Sequence, residues 1–354
     1  MLSISEWFLW QFNWFSTSDT AAVINIMKPL IGLPAQHRVA GSNAAFVSTF
    51  SGDGFDWSAV RSAFPSTPLY IVPNWQPSSD NARNAGVDGL FSWYAWPSVD
   101  NGPVDRKMST DKDQEYIGQL SGAGKAYMAP VSPWFFTHFG KEVSYSKNWL
   151  FKSETLWYER WEQILDLADR SPELRYLEII TWNDYGESHY VGPSNNGHSD
   201  DGSGPWTDGL SHDALLEFAR PYITAFKTGS RRPVIDRDML VYWYRPHLKG
   251  VSSCDDTDNC GARPAGWDIV SDSVFVASFS SSGGSVTVKS GNKGEATKSI
   301  GAGVSMMQFD MGAGEQVFSL SSSTKKVSGS GSSAVLNSCW KGLYNFNIQS
   351  GLLL

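Results

Sequence analysis

The chain has 354 residues, a formal net charge of −8, 18% charged and 14% aromatic residues, and 16 Trp. That length exceeds one ordinary domain, so a large domain followed by a smaller one is expected. Lys and Arg are spread rather than clustered, which excludes a phosphate-binding stripe and hence nucleic acid, and no apolar run reaches the roughly 20 residues of a membrane helix.

The opening MLSISEWFLWQFNWFS is apolar but carries Glu6 and lacks a basic start and a small-residue cleavage site, so it does not read as a signal peptide. Apolar runs bounded by turn residues follow at Phe8 to Trp14, Ala44 to Phe50, Leu69 to Trp75, Gly89 to Trp96, Ala126 to Phe135 and Tyr176 to Trp182. Between them lie stretches with helical spacing: AAVINIMKPLI opened by Ser18-Asp19, DKDQEYIGQL opened by Ser109-Thr110, and TLWYERWEQILDLADR. HDALLEFARPYITAFKTG and the strand-like LVYWYRPH close this part. Continuous apolar strands separated by helical crossovers predict an α/β fold with a parallel sheet, at this size a (β/α)8 barrel, of which six strands are visible within residues 1–245.

From about Val251 the texture changes to VFVASF, SVTVKSG, GVSMMQF and QVFSLSS, separated by Ser and Gly turns. Short alternating runs predict an antiparallel β-sandwich over 246–354, with SSTKKVSGSGSS a hairpin loop rather than a linker. Cys254, Cys260 and Cys339 lack metal-ligand spacing and fit one disulfide and one free thiol.

In a parallel α/β barrel the active site lies at the carboxyl ends of the strands. Four of the six strands run into a Trp there: Trp75 in VPNW, Trp96 in WYAWP, Trp134 in VSPWFF and Trp182 in ITWND. Four convergent indoles would line a cleft with flat apolar walls suited to sugar rings, the alternative being barrel-end packing. Just beyond the last strand, Asp184 and Glu187 stand three residues apart in WNDYGESHYVGP. Glycosidic cleavage needs such a pair, one carboxyl to protonate the leaving oxygen and one to activate water or attack. The structural alternative is a loop in which Asp184 caps a turn and Glu187 is solvated. Gly186 is expected to let the backbone turn sharply between the two carboxyls. Asn183, Tyr185, His189 and Tyr190 of this loop, with Asp53 of STFSGDG, complete the candidate substrate-binding set.

WNDYGESHYVGP, together with STFSGDG, YIVPNW, FSWYAWP and YMAPVSPWFFTHF, resembles the fungal α-1,3-glucanases, or mutanases, of glycoside hydrolase family 71. The likeness runs from about Phe12 to Pro246, and the tail ending in GLYNFN resembles the β-domain that often follows. It implies a barrel, hydrolysis of α-1,3-glucan with inversion, and an extracellular or cell-wall location. It also implies catalysis by Asp184 and Glu187, with Glu187 as acid and Asp184 as base, or the reverse. No cofactor or metal is required, since proton transfer and charge stabilisation suffice for this bond, and a monomer is expected.

Two departures qualify the likeness. Family members ordinarily carry two further βα units ahead of the first strand here, so the chain looks truncated at its start and is expected to be poorly soluble and weakly active alone. Gln11 of LWQFNW stands where the family has an Asp, and an amide cannot act as acid or base. A degenerate relative that only binds glucan, or another barrel hydrolase, are the competing readings.

Overall fold

The computed structural model describes residues 9–12, 15–98, 100–141, 143–194, 202–254 and 263–354. Met1 to Phe8, the side chain of Gln11 and Cys260 lie outside the described part. In chain order the elements are β1 (Leu9–Gln11), α1 (Thr20–Leu30), β2 (Ala45–Phe50), α2 (Trp57–Ala63), β3 (Leu69–Pro73), α3 (Ser79–Arg83), β4 (Gly89–Phe91), α4 (Asp111–Leu120), β5 (Ala126–Val131), β6 (Phe136–Phe139), β7 (Lys147–Leu150), α5 (Leu156–Arg170) and β8 (Leu174–Ile179). They continue with α6 (Gly204–Thr207), α7 (Ala214–Thr228), β9 (Met239–Tyr244), β10 (Ser273–Ser280), β11 (Gly284–Ser290), β12 (Glu295–Ile300), β13 (Gly303–Asp310), β14 (Gln316–Ser322), β15 (Lys326–Ser330) and β16 (Gln349–Leu353).

Helix starts follow from local chemistry. Asp19, Asp56 and Ser78 each accept a backbone N–H three residues on, at 2.9, 3.0 and 3.1 Å, satisfying donors that the first turn leaves free. The long α7 stops at Gly229, which takes the left-handed conformation (φ 71°) that lets its N–H return to the last carbonyls.

The described chain divides into two compact units. One comprises the residues up to Ala95, 109–130 and 170–178. Its strands form two three-stranded sheets, β1-β2-β3 and β4-β5-β8, in strict chain order, with the described pairs parallel. Between β3 and β4, Asp88 donates its N–H to Ile71 O and accepts Ile71 N–H on its carboxylate, both at 2.7 Å, and Arg61 pairs with the same carboxylate. Tyr176 of β8 meets Phe46 of β2 and Tyr70 of β3 at 4.9 and 5.6 Å between ring centroids, so side chains from the two sheets touch.

The second unit holds 96–108, 131–169 and the residues from Ile179 onward. Two antiparallel four-stranded sheets, β13-β10-β9-β16 and β12-β11-β14-β15, enclose one apolar core. Alternate residues point into it: Leu240, Tyr242 and Tyr244 from β9, Val274 and Val276 from β10, Val286 and Val288 from β11, Phe318 and Leu320 from β14. The opposite face of β9 and β10 is covered by α7, where Phe218 packs on Trp243 and Phe279. A strand covered on both faces reads as a continuous apolar run, and every residue of β9 is buried. Thus β9, although it precedes the boundary expected at 246, pairs with β10 and β16.

SSTKKVSGSGSS is no linker, but neither is it all loop: Lys326–Ser330 within it forms β15, which pairs antiparallel with β14. Cys254 forms a disulfide with Cys339. An unforeseen hairpin, β6–β7, follows β5 and pairs Phe139 with Lys147 and Phe136 with Leu150. No described helix is long and apolar enough to cross a membrane.

Candidate active site

The loop after β8 is organised by its own polar groups. Thr181 Oγ1 accepts the N–H of Asp184 at 2.8 Å, and Asp184 Oδ1 accepts the N–H of Glu187 at 3.1 Å. Asp184 therefore does cap a turn, and its second oxygen remains available 3.6 Å from His189 Nε2. The left-handed position of the turn is Ser188 (φ 57°), not Gly186, whose role lies in its carbonyl. That oxygen accepts the N–H of His138 at 3.3 Å and the hydroxyl of Thr137 at 3.2 Å, and Glu187 O accepts the N–H of Phe136 at 3.2 Å. Strand β6 thereby pins the loop along its edge.

Glu187 is held at both oxygens. His189 Nε2 lies 2.9 Å from Oε2, and the ammonium of Lys147 on β7 pairs with Oε1. His189 is fully buried, its Nδ1 is 3.1 Å from Thr181 Oγ1, and Trp96 and Phe135 lie 5.1 and 6.0 Å away between ring centroids. These contacts split the two carboxyls. Withdrawal from water raises the pKa of Asp184 to about 6, the charge of Glu187 adding to the effect against His189 and Lys147. Burial also opposes ionisation of Glu187, but the hydrogen bond and charge of His189, then the Lys147 ammonium, outweigh it and hold that carboxyl well below its ordinary range. One group keeps a proton where the other has lost it.

One donor atom from each of Asp184, Glu187 and His189 lies within 4.8 Å of the other two, a set with the chemistry to hold a cation. Lys147 supplies positive charge at Glu187 beside that set.

The four strand-end Trp residues do not behave alike. Trp75 is fully buried in the first unit and donates its indole N–H to Gly52 O at 2.6 Å. Trp134 is 1% exposed and donates to Phe346 O, while Trp96 donates to Trp134 O and packs beside His189. This corrects the expectation of four open indoles: a sugar cannot stack on a ring whose faces are packed. Only Trp182 of the four presents its ring, at 50% exposure. Its seat requires Gly192, since a Cβ there would lie 2.5 Å from Trp182 O and 2.8 Å from the indole.

Asn183 is exposed and Tyr185 half-buried, its hydroxyl donating to Pro193 O at 3.1 Å. Tyr190 is fully buried, with its hydroxyl donated to Leu210 O at 2.6 Å, so it supports the loop rather than facing a ligand. Asp53 belongs to the first unit and binds the N–H of Gln76 and the amide of Asn81, each at 2.9 Å. Sequence reasoning missed Lys147, Thr181 and Tyr145. Tyr145, at 56% exposure, and Trp182 are the two exposed large aromatics among the described residues. Tyr145 packs on Phe139, whose ring also lies 5.5 Å from the Lys147 ammonium.

Two carboxyls held on one loop in unlike surroundings have the chemistry for proton transfer, one to give a proton and the other to accept one. The sequence profile of glycosyl hydrolase family 71 matches residues 4–353, and the chain belongs to that family. A mutanase from Penicillium rubens is 43% identical over 344 residues, covering 96% of this chain and 73% of its own. Glucan endo-1,3-alpha-glucosidase agn1 of Schizosaccharomyces pombe is 34% identical over 351 residues, covering 95% and 77%. The ascus wall endo-1,3-alpha-glucanase of the same yeast is 29% identical over 340 residues, covering 88% and 74%. Among solved structures, an FMN-binding beta-glucuronidase from Facaelibacterium prausnitzii aligns over 90% of this chain and 44% of its own, at 12% identity and a TM-score of 0.39.

Proposed function

We propose that the chain hydrolyses α-1,3-glucosidic bonds in α-1,3-glucan, with Asp184 as general acid and Glu187 as general base. The observation that carries the roles is the unequal holding of the pair: Glu187 is gripped at both oxygens by Lys147 and His189, whereas Asp184, only partly withdrawn from water, has no cation closer than His189 at 3.6 Å and lies beside an anion. This reverses the order of roles first favoured from the loop sequence. In the forward step Asp184 delivers its proton to the glycosidic oxygen as the bond to the anomeric carbon breaks. Glu187 takes a proton from the water that adds there, so both carboxyls end with exchanged protonation.

An inverting course requires roughly 6.5–9.5 Å between the carboxyls to seat that water. The pair approaches more closely here, so inversion calls for Asp184, half-open to solvent, to turn away from His189 when glucan binds. Trp182 and Tyr145 are read as sugar platforms. The parallel strands β1 to β5 and β8 are read as part of a (β/α)-barrel domain, and β9 to β16 as a β-sandwich whose first strand is β9. By family resemblance the substrate is cell-wall glucan and the site of action is outside the cell.

An oligosaccharyl fluoride tests the roles because its leaving group needs no proton. Asp184→Asn is expected to lose turnover of α-1,3-glucan but to keep most of its turnover of an α-linked gluco-oligosaccharyl fluoride, whereas Glu187→Gln loses both. The opposite pattern reverses the assignment, and full activity of both variants removes the pair from the mechanism. The first-formed anomer, read by proton NMR, decides inversion.

A further inference from the structure

The hairpin β6–β7 has no part in the acid–base scheme, yet both of its strands contact the catalytic loop at Gly186 and Glu187. Its first strand takes the loop carbonyls, with Phe136 N–H on Glu187 O at 3.2 Å and His138 N–H on Gly186 O at 3.3 Å. Its second strand is in register with the first, so Lys147 stands opposite Phe139 and directs its ammonium to Glu187 Oε1. We propose that Lys147 is a positioning residue for the reaction, fixing the Glu187 carboxylate for water activation from the side opposite His189; this rests on the hydrolase reading above.

The geometry is that of a two-point clamp. His189 takes Oε2 at 2.9 Å and is itself held by Thr181, while Lys147 takes Oε1. A carboxylate bonded at one oxygen can still rotate about its terminal torsion, whereas one bonded at both cannot. Two donors leave lone pairs of the carboxylate free, since it offers about four acceptor sites, so a water can still be bound. Among the described residues, the charged or titratable groups that face Glu187 are Asp184 and His189 from its own loop and Lys147 from β7. Lys147 is the one among these that is neither part of the loop nor assigned a proton transfer. Its side chain is 25% exposed, so its charge is not lost in bulk solvent.

A merely structural staple would make a different prediction from a residue that keeps the base ionised. Removing a cation near a carboxylate raises that carboxylate's pKa, and the base then becomes protonated at higher pH. In Lys147→Met the acid limb of kcat/KM on soluble α-1,3-gluco-oligosaccharides should therefore move upward by about one unit or more. Turnover at the wild-type optimum should fall by roughly tenfold or more with KM nearly unchanged. Lys147→Arg, which restores the cation, should bring the limb most of the way back. Lys147→Gln, polar but uncharged, gives the same reading as the Met variant if the latter does not fold. A wild-type acid limb in a folded Lys147→Met or Lys147→Gln protein overturns the proposal. So does a uniform loss at all pH values that Lys147→Arg fails to recover. If Glu187→Gln retains full turnover, the hydrolase reading itself fails; if that variant is dead and the acid limb ignores Lys147, only this inference does.

Discussion

The rings of Tyr190 and His212 lie face to face, 4.0 Å between centroids and 3° from parallel. Tyr190 closes the catalytic loop, and His212 Nδ1 is 2.8 Å from its carbonyl oxygen. Asn347, near the end of the chain, joins the stack by donating to the Tyr190 hydroxyl at 3.0 Å and by placing its side-chain oxygen 3.0 Å from His212 Nε2. The C-terminal segment is thus built into the support of the loop that carries Asp184 and Glu187. Asn347→Leu should remove one partner each from a buried phenol and imidazole that keep Leu210 O and Ile348 O, at a cost of about 0.5–1.5 kcal/mol per bond lost. Chemical denaturation would measure that loss, and the pH profile of any remaining activity should keep its shape, because neither carboxyl is touched.

The pH profile of kcat/KM is expected to be a bell confined to acidic conditions. Activity needs Asp184 protonated, so it declines as pH rises through that group's elevated value of about 6. It also needs Glu187 ionised, so it declines as pH falls through that group's depressed value. An optimum in the alkaline range would contradict the assignment. Steady-state rates on a soluble oligosaccharide across pH supply the measurement.

How far the sequence led can be judged from particular residues. Asp19 was legible as a helix cap, and the six apolar runs became β1 to β5 and β8, because caps and strand patterns are local signals. The WNDYGE segment was legible as a carboxylate pair for the same reason. Lys147 was not, since it lies 40 residues from Glu187 and a single lysine in SYSKNWLF has no periodicity that would assign it a partner. Trp75 and Trp134 misled because a Trp at a strand end looks the same whether its ring faces a cleft or a core. Only burial distinguishes them, and burial is set by distant segments such as the one bearing Phe346. The β9 run was seen as a strand, but not as the strand whose two faces serve the helix layer and the second sheet.

The Trp residues give a contrast that separates binding from stability. Trp182→Ala and Tyr145→Ala remove exposed rings and should leave the melting transition nearly unchanged while weakening glucan binding by about 0.5–1.5 kcal/mol each. Trp75→Ala and Trp134→Ala empty buried sites and should cost about 3–5 kcal/mol of stability. Gly192→Ala should mimic the Trp182 loss, because its Cβ would displace the indole. Pull-down on insoluble glucan alongside thermal melts reads both quantities, and equal destabilisation by all four Trp and Tyr changes would remove the distinction.

The last prediction concerns where the chain can be cut. If the C-terminal sheets were an appended module, residues 1–245 would fold and act without them. The contacts argue otherwise. Such a cut leaves β9 without β10 and β16, its partners on either side, and strips Leu240, Tyr242 and Tyr244 of the second sheet. It also removes Phe279 from Phe218 of α7, Phe346 O from the Trp134 indole and Asn347 from Tyr190. Unpaired strand edges and newly exposed apolar faces favour aggregation over folding. Residues 1–245 should therefore be insoluble or molten and lack turnover, and limited proteolysis of the full chain should yield no stable fragment ending near 245. A soluble 1–245 protein with a cooperative melt and intact activity would mean that the buttress behind Tyr190 and Trp134 is dispensable.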